Sequence, residues 1–409
     1  MVTRGPIAFS AYQRKLFVFL SVATFFEGYD FIALSQILPE LQRTMALSET
    51  AIGALVMAIN LGTVAAFALV GLADRLGRKR LLTITIVGYT LATFATAFAP
   101  GLYWFAGLQF LARMFLIAEW ATSMVYAAEE FPAERRGMVI GVIQGFSSLG
   151  AIVCAGVVPA LLHTAYGWRS VYLVGILPLA ILMFARTGLR ESSQFLKDSA
   201  QRTEKRSFFY IWKTPYRTRV LWLGLIWGLG YICTNNATTF WKQFAMSERG
   251  LTDAQVALTV AIAAVGSMPL VFAAGKLLDV IGRKRGAAVI FSMGSLGVVA
   301  CYGARGRVAL TASLTVAIFG AAAFMPVMNA FTAELFPTSL RADAFAWTNN
   351  LLGRISYVIS PLLIGLGAAR IGWGPALQWT AIGPILALLV IMKTLPETKA
   401  KDLEESASL

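Results

Sequence analysis

The sequence predicts an all-α membrane protein with twelve transmembrane helices in two parallel six-helix repeats. Three observations lead there. Apolar residues make up 57% of the 409 residues and charged residues only 14%, against about 45–50% and 25% in soluble domains. Apolar stretches near the roughly 20 residues that a membrane helix needs recur along the whole chain. Finally, separate landmarks of the first half return in the second half at one constant distance.

Taken in order, the predicted spans are 16–39, 50–70, 81–99, 102–126, 138–161, 168–187, 219–241, 254–274, 286–303, 308–332, 342–368 and 373–394. They are read as helices because lipid leaves only helices and closed barrels with satisfied backbone groups. The strict alternation of a barrel strand is absent. The first apolar run continues to Pro39 without a small-residue cleavage site, so no cleavable signal is expected. Basic residues set the orientation. With both termini inside, 26 of the 35 Lys and Arg fall in cytoplasmic segments, seven fall outside, and Arg113 and Arg354 fall within spans. The net charge of +14 is therefore a topological signal, and no nucleic-acid partner is expected. The polar stretch 190–217 divides an amino-terminal bundle, 1–189, from a carboxy-terminal bundle, 218–409.

Asp74-Arg-Leu-Gly-Arg-Lys-Arg80 is answered by Asp279-Val-Ile-Gly-Arg-Lys-Arg285, 205 residues later. Glu129, Phe131, Pro132 and Arg136 are answered by Glu334, Phe336, Pro337 and Arg341, and Gly167-Trp168 by Gly372-Trp373, again at 205. Two parallel repeats of this kind mark transporters with a site near the bilayer midplane. The loop Gly71 to Arg80 and its second copy, Gly275 to Arg285, resemble the signature between helices 2 and 3 of the major facilitator superfamily. Glu27-Gly-Tyr-Asp30, Ala118-Glu-Trp120, the run Glu129 to Gly137, and Gln144 resemble that superfamily's metabolite and aromatic-acid:proton symporters. Gly167-Trp-Arg169, Arg190-Glu-Ser192 and Pro396-Glu-Thr398 are similar to segments of its sugar porters. In the first copy the leading glycine of the signature falls at Val70, with Gly71 one place later. The glycine-rich run before the Glu-Trp pair is here Met114-Phe-Leu-Ile-Ala118.

Ionisable residues inside a bilayer are expensive and point to function. Glu27, Asp30, Arg113, Glu119 and Arg354 qualify. At about 1.5 Å of rise per residue, Asp30 and Arg113 each lie about 14 Å from the outer end of their helices, so they can meet if those helices are neighbours. The expectation is an Asp30–Arg113 ion pair that opens when the acid is protonated, with Glu119 as a second proton site and Glu27 on the same helix face as Asp30. A static pair that pins helix packing is the competing reading. Repeat symmetry favours function: the positions 205 after Asp30, Arg113 and Glu119 are Asn235, Ile318 and Phe324, so the cluster is not duplicated. Arg354 either binds a substrate carboxylate or satisfies carbonyls of a helix broken near Pro361.

Candidate substrate contacts are Arg113, Trp120, Gln144, Asn235, Asn236, Asn349, Asn350 and Arg354, each weighed against a role as interhelical hydrogen-bonding glue. The candidate conformational gate is Gly71, Asp74, Arg75, Gly77, Arg78, Asp279, Gly282 and Arg283. Asp74 would act on a helix end or on Arg78, and Glu129 with Arg136 and Glu334 with Arg341 would form a matching charge network. Three scattered cysteines and one histidine suggest neither disulfide nor metal site. No phosphate-binding loop or nucleophile–base pair appears, so an ATP-driven pump and an enzyme are disfavoured. The resemblance and the buried charges together imply proton symport of a small organic anion, such as a monocarboxylate or aromatic acid, in a bacterial inner membrane. The drive would be the proton gradient, with no cofactor and a monomeric chain in lipid. A sugar or polyol porter, an efflux antiporter and a transport-inactive sensor remain alternatives.

Overall fold

The computed structural model describes residues 9–71, 76–177, 190–191, 208–337 and 339–399, apart from the side chains of 133, 134, 136 and 137. Every regular element among these residues is helical. Eight of the helices among them are long and apolar enough to cross a membrane. The elements are α1 Ala11–Met45, α2 Glu49–Val70, α3 Arg78–Thr96, α4 Leu102–Glu130, α5 Ala133–Leu162 and α6 Trp168–Leu173. After the short 3-10 turn Tyr210–Lys213 come α7 Arg217–Thr239, α8 Trp241–Ser247, α9 Asp253–Ile281, α10 Arg283–Gly303 and α11 Arg307–Glu334. The last stretch holds α12 Arg341–Phe345, a π-helical segment Ala346–Gly353, α13 Arg354–Ile371, α14 Trp373–Trp379 and α15 Ile382–Thr394. α3, α4 and α7 match predicted spans but carry charged or amide side chains. The predicted sixth span beyond residue 177 lies outside the described residues.

Two expectations change. The first span does not end at Pro39: α1 runs on to Met45, because a proline in a long helix costs one hydrogen bond and not the helix. The helix irregularity expected near Pro361 lies earlier, at Ala346–Gly353, and Pro361 sits inside regular α13.

Two compact units emerge, and they are not simply the two sequence halves. One joins Met1–Ala33 to Leu61–Glu204, and the other joins Leu34–Asn60 to Lys205–Leu409. The first has a core of Leu16, Phe19 and Leu20 from α1, Leu82, Ile86 and Tyr89 from α3, Leu116 and Tyr126 from α4, and Ile143 from α5. The second is centred on Trp227 and Tyr231 of α7, Phe291 of α10, Phe324 and Phe331 of α11, and Tyr357 of α13. Gly167 and Gly372 both have positive φ, 54° and 86°, and each opens the helix led by Trp168 or Trp373. The duplicated Gly-Trp dipeptides thus mark the same turn twice.

The first unit depends on close backbone approach of α1 and α5. A Cβ on Gly28 would lie 1.9 Å from the carbonyl oxygen of Ser147, and one on Gly150 would lie 1.9 Å from that of Phe25. Small residues permit such contact between membrane helices. Gly150→Ala is expected to lower the midpoint of thermal unfolding in detergent by the equivalent of about 1–3 kcal/mol, the usual cost of overpacking. Gly145→Ala, where an added Cβ meets nothing within 4 Å, should be neutral. Equal stability of the two variants would remove the crossing from the account of the fold.

Candidate functional site

The α1–α5 approach delivers Glu27 to Ser147, whose hydroxyl donates to Glu27 Oε2 at 2.9 Å. One turn along α1, Asp30 is half-buried. Arg113 of α4 is buried, lies over the Phe31 ring at 4.5 Å, and interacts electrostatically with both Asp30 and Glu27. Glu119, two turns further along α4, is fully buried and accepts from Ser123 Oγ at 2.6 Å. The expected Asp30–Arg113 ion pair is not a contact. Asp30 Oδ2, Arg113 Nη1 and Glu119 Oε2 are each buried without a hydrogen-bond partner, as are the Tyr29, Tyr89 and Tyr172 hydroxyls. The physical reason lies in the flanks: Phe31 takes the guanidinium face, which holds the charge beside the acid instead of on it. Buried polar atoms without partners are rare and costly. Asp30 is coupled electrostatically to Arg113, Glu27, Tyr29, Tyr89 and Tyr172, so these groups share one polar interior. Trp120 Nε1 donates to Gln144 Oε1 at 3.3 Å, joining α4 to α5.

In the second unit, Arg354 opens α13. Its guanidinium lies over the rings of Tyr357 at 4.9 Å and Tyr231 at 5.5 Å, and no carboxylate among the described residues pairs with it. The Tyr231 hydroxyl donates to Asn349 Oδ1 at 2.6 Å. Asn236 donates to Ser360 Oγ at 2.7 Å, tying α7 to α13, and Asn235 reaches the Tyr357 carbonyl only at 3.5 Å. Asn350, next to Asn349 along the chain, is half-buried. The structure thus commits Asn236 to interhelical bonding and leaves Arg354 as a half-buried cation on an aromatic floor.

The repeated basic loops build a third constellation. Arg78 holds Glu129 through Nε and Nη2 at 2.9–3.2 Å, and Arg283 holds Glu334 the same way at 2.8–3.2 Å. Gly77 and Gly282, with φ of 87° and 95°, start α3 and α10. A Cβ on either would collide with a carboxylate, that of Glu191 at 2.4 Å or of Glu397 at 2.9 Å. Those carboxylates cap the helix ends: Glu191 accepts from Lys79 N at 3.1 Å, and Glu397 accepts from Arg283 N at 2.8 Å and Lys284 N at 3.0 Å. One expected pairing is corrected. Arg283 takes Glu334, the glutamate assigned to Arg341. Arg341 instead donates to the carbonyls of Ala333 and Phe336. The α4 and α11 glutamates are reached across the bundle from helix starts whose left-handed glycines aim the arginines inward. Asp279 meets Arg283 at 3.1 Å but is three-quarters exposed. Gly71 closes α2 in a turn. Asp74, Arg75 and the Arg136 side chain lie outside the described residues.

The Major Facilitator Superfamily profile matches residues 20–244 and 231–408, nearly the whole chain. The chain belongs to the Major Facilitator Superfamily. It is a membrane transporter and not an enzyme. It is 28% identical to a gallate transporter of Pseudomonas putida over 93% of this chain and 91% of that one. It is 26% identical to the 4-hydroxybenzoate transporter PcaK of Pseudomonas aeruginosa over 88% of each. In fold it is similar to the inward-open xylose transporter XylE of Escherichia coli, with a TM-score of 0.78 at 18% identity over 96% of this chain and 98% of that one.

Within this Major Facilitator chain, sequence reasoning missed Ser147, Ser123, Tyr231 and the two capping glutamates. The glutamates left a readable trace: Glu191 and Glu397 close the two halves at nearly the repeat distance. Burial would raise the Glu397 carboxyl, but the backbone N–H groups of Arg283, Lys284, Lys399 and Thr398 outweigh it and hold the group below the usual glutamate range. An acid depressed in the folded state stabilises above its unfolded pKa, about 4.3, and that stabilisation fades as pH falls further. Glu397→Gln should therefore lower thermal stability at pH 7 by the equivalent of about 0.3–1 kcal/mol, the size of a charge–helix-terminus interaction. The gap between variant and parent should close in acid. A gap of constant size from neutral pH down to acid would show that the charge is not its source.

Proposed function

We propose that the chain carries a small aromatic carboxylate together with a proton, by alternating access. In this reading twelve membrane-spanning helices form two six-helix repeats, both termini are cytoplasmic, and the membrane is a bacterial inner membrane. Arg354 is the observation that carries it. A guanidinium that no carboxylate among the described residues pairs, lying over two tyrosine faces with Asn349 bonded to one of them, suits an anion bearing a ring. Gallate and 4-hydroxybenzoate, named for two relatives, are hydroxylated benzoates, and the amides provide partners for such hydroxyls.

Asp30, Glu27 and Glu119 supply the proton sites beside Arg113. When Asp30 is ionised, its field holds Arg113; when it is protonated, the guanidinium is released. The bonding gaps at Asp30 Oδ2 and Arg113 Nη1 support an exchangeable relation over a fixed strut. The proton gradient is the energy source, so no cofactor is required, and one chain holds every group the reading needs.

Two measurements in proteoliposomes test this. Arg354→Gln should weaken 4-hydroxybenzoate binding tenfold to a hundredfold, since a hydrogen bond to a charged group is worth about 1.5–3 kcal/mol and about 1.4 kcal/mol is tenfold. Unchanged affinity would refute Arg354 as the anion site. Asp30→Asn should abolish accumulation driven by an imposed pH gradient while leaving exchange of labelled for unlabelled substrate. Persistent pH-driven accumulation in that variant rules out Asp30 as the coupling acid.

A further inference from the structure

The eleventh predicted span is wound in two ways. α12 leads into the π-helical segment Ala346–Gly353, and α13 begins at Arg354. π-helical turns are rare and gather at functional sites. This one is held at both ends. Near its start, the Trp347 ring stacks on Phe208 at 4.8 Å and 17° and meets Trp212 edge-on at 5.1 Å. Its indole N–H donates to the Phe208 carbonyl at 3.1 Å. Phe208 and Trp212 belong to the stretch that enters α7 from the polar region between the repeats. At the far end, a Cβ on Gly353 would lie 2.7 Å from Trp227 Cβ, so α7 allows no bulk there. The guanidinium over Tyr231 and Tyr357 follows at once.

We propose that Trp347 is a positioning residue for Arg354: anchored by Phe208 and Trp212, it keeps the π-helical winding that turns the guanidinium onto its tyrosine floor. The proposal rests on Arg354 being the anion-binding group. Each residue of an α-helix turns the chain by on the order of 100°. Rewinding the segment to α geometry from a fixed Trp347 therefore redirects Arg354 by about that much for each residue taken up. Freeing Trp347 removes the point from which the winding is held. Nothing touches Arg354 directly in this scheme; the effect travels through the backbone between residues 347 and 354.

The test uses the full chain with Cys154, Cys233 and Cys301 changed to alanine. A methanethiosulfonate reagent reports the modification rate of the thiol introduced by Arg354→Cys, and of a control introduced by Ser292→Cys on α10. Trp347→Phe keeps a ring but removes the N–H. It should change the rate at 354 by about threefold or more, as a shift in side-chain direction on a helix implies, and leave the rate at 292 unchanged. Phe208→Leu, which attacks the anchor from the other side, should act alike if Trp347→Phe folds poorly. In the chain with its native cysteines, Trp347→Phe should raise the Kd for 4-hydroxybenzoate about tenfold with little loss of turnover at saturation, the signature of altered binding. It should add nothing to Arg354→Gln. Unaltered rates at 354 in both variants, or equal changes at 354 and 292, overturn the proposal. If 4-hydroxybenzoate fails to bind the parent protein, the carboxylate reading falls, and the thiol rates still decide the role of Trp347.

Discussion

A guanidinium buried among membrane helices must find negative charge, carbonyl oxygen or an aromatic face, because the hydrocarbon of a bilayer offers none of them. This protein meets that constraint in two distinct ways. Arg78 and Arg283 are answered in full, each donating from Nε and Nη2 to one glutamate and with little exposure left. Arg113 and Arg354 are answered in part, by rings, with no carboxylate among the described residues in contact. Full pairing fixes a helix end in place. Partial pairing leaves a charge able to accept a partner that comes and goes. The two groups of arginines differ in how much of the guanidinium is already spent.

The duplication makes the same division. Arg78 and Arg283, Glu129 and Glu334, and Gly77 and Gly282 recur at 205 residues and do the same work in each unit. Their glycines tolerate left-handed backbone and admit the capping carboxylate, which is a requirement on both residue type and position. The stacked acids of α1 and α4 do not recur. Asn235 stands where the repeat of Asp30 falls, and Phe324, where that of Glu119 falls, is a core ring. A duplicated scaffold with unduplicated charges leaves one unit rich in acids and the other with an arginine on tyrosines.

Much of this was legible beforehand, for identifiable reasons. Span positions follow from hydrophobicity alone, and Arg78, Arg283, Glu129 and Glu334 stood out because repetition at fixed spacing is visible in a single chain. Which acid met which base was not legible. It depends on where α3 points after Gly77, and a side chain reaching across a bundle leaves no periodic trace. The Asp30–Arg113 estimate foresaw two groups that feel each other but not the missing contact, since the rise along a helix says nothing about rotation around it, and Arg113 lies over Phe31. The π-helical segment was invisible for a related reason. Ala346–Gly353 has an unremarkable composition, and its winding reflects anchors at Trp347 and Gly353 that only tertiary structure supplies.

Those anchors have a counterpart in the first unit. Where the chain leaves that unit, the Arg190 carbonyl is held by the Tyr126 hydroxyl, Tyr126 bonds Tyr12 at 2.8 Å, and Arg190 lies over the Tyr12 ring at 5.5 Å. Where the chain enters the second unit, the Phe208 carbonyl is held by the Trp347 indole. Both ends of the polar stretch between the repeats are thus fastened through a backbone carbonyl to an aromatic side chain of a membrane helix. The two fastenings differ in consequence. Tyr126 belongs to regular α4, which can transmit only a rigid displacement. Trp347 belongs to the π-helical segment, whose winding departs from α geometry, and the first side chain beyond that segment is Arg354.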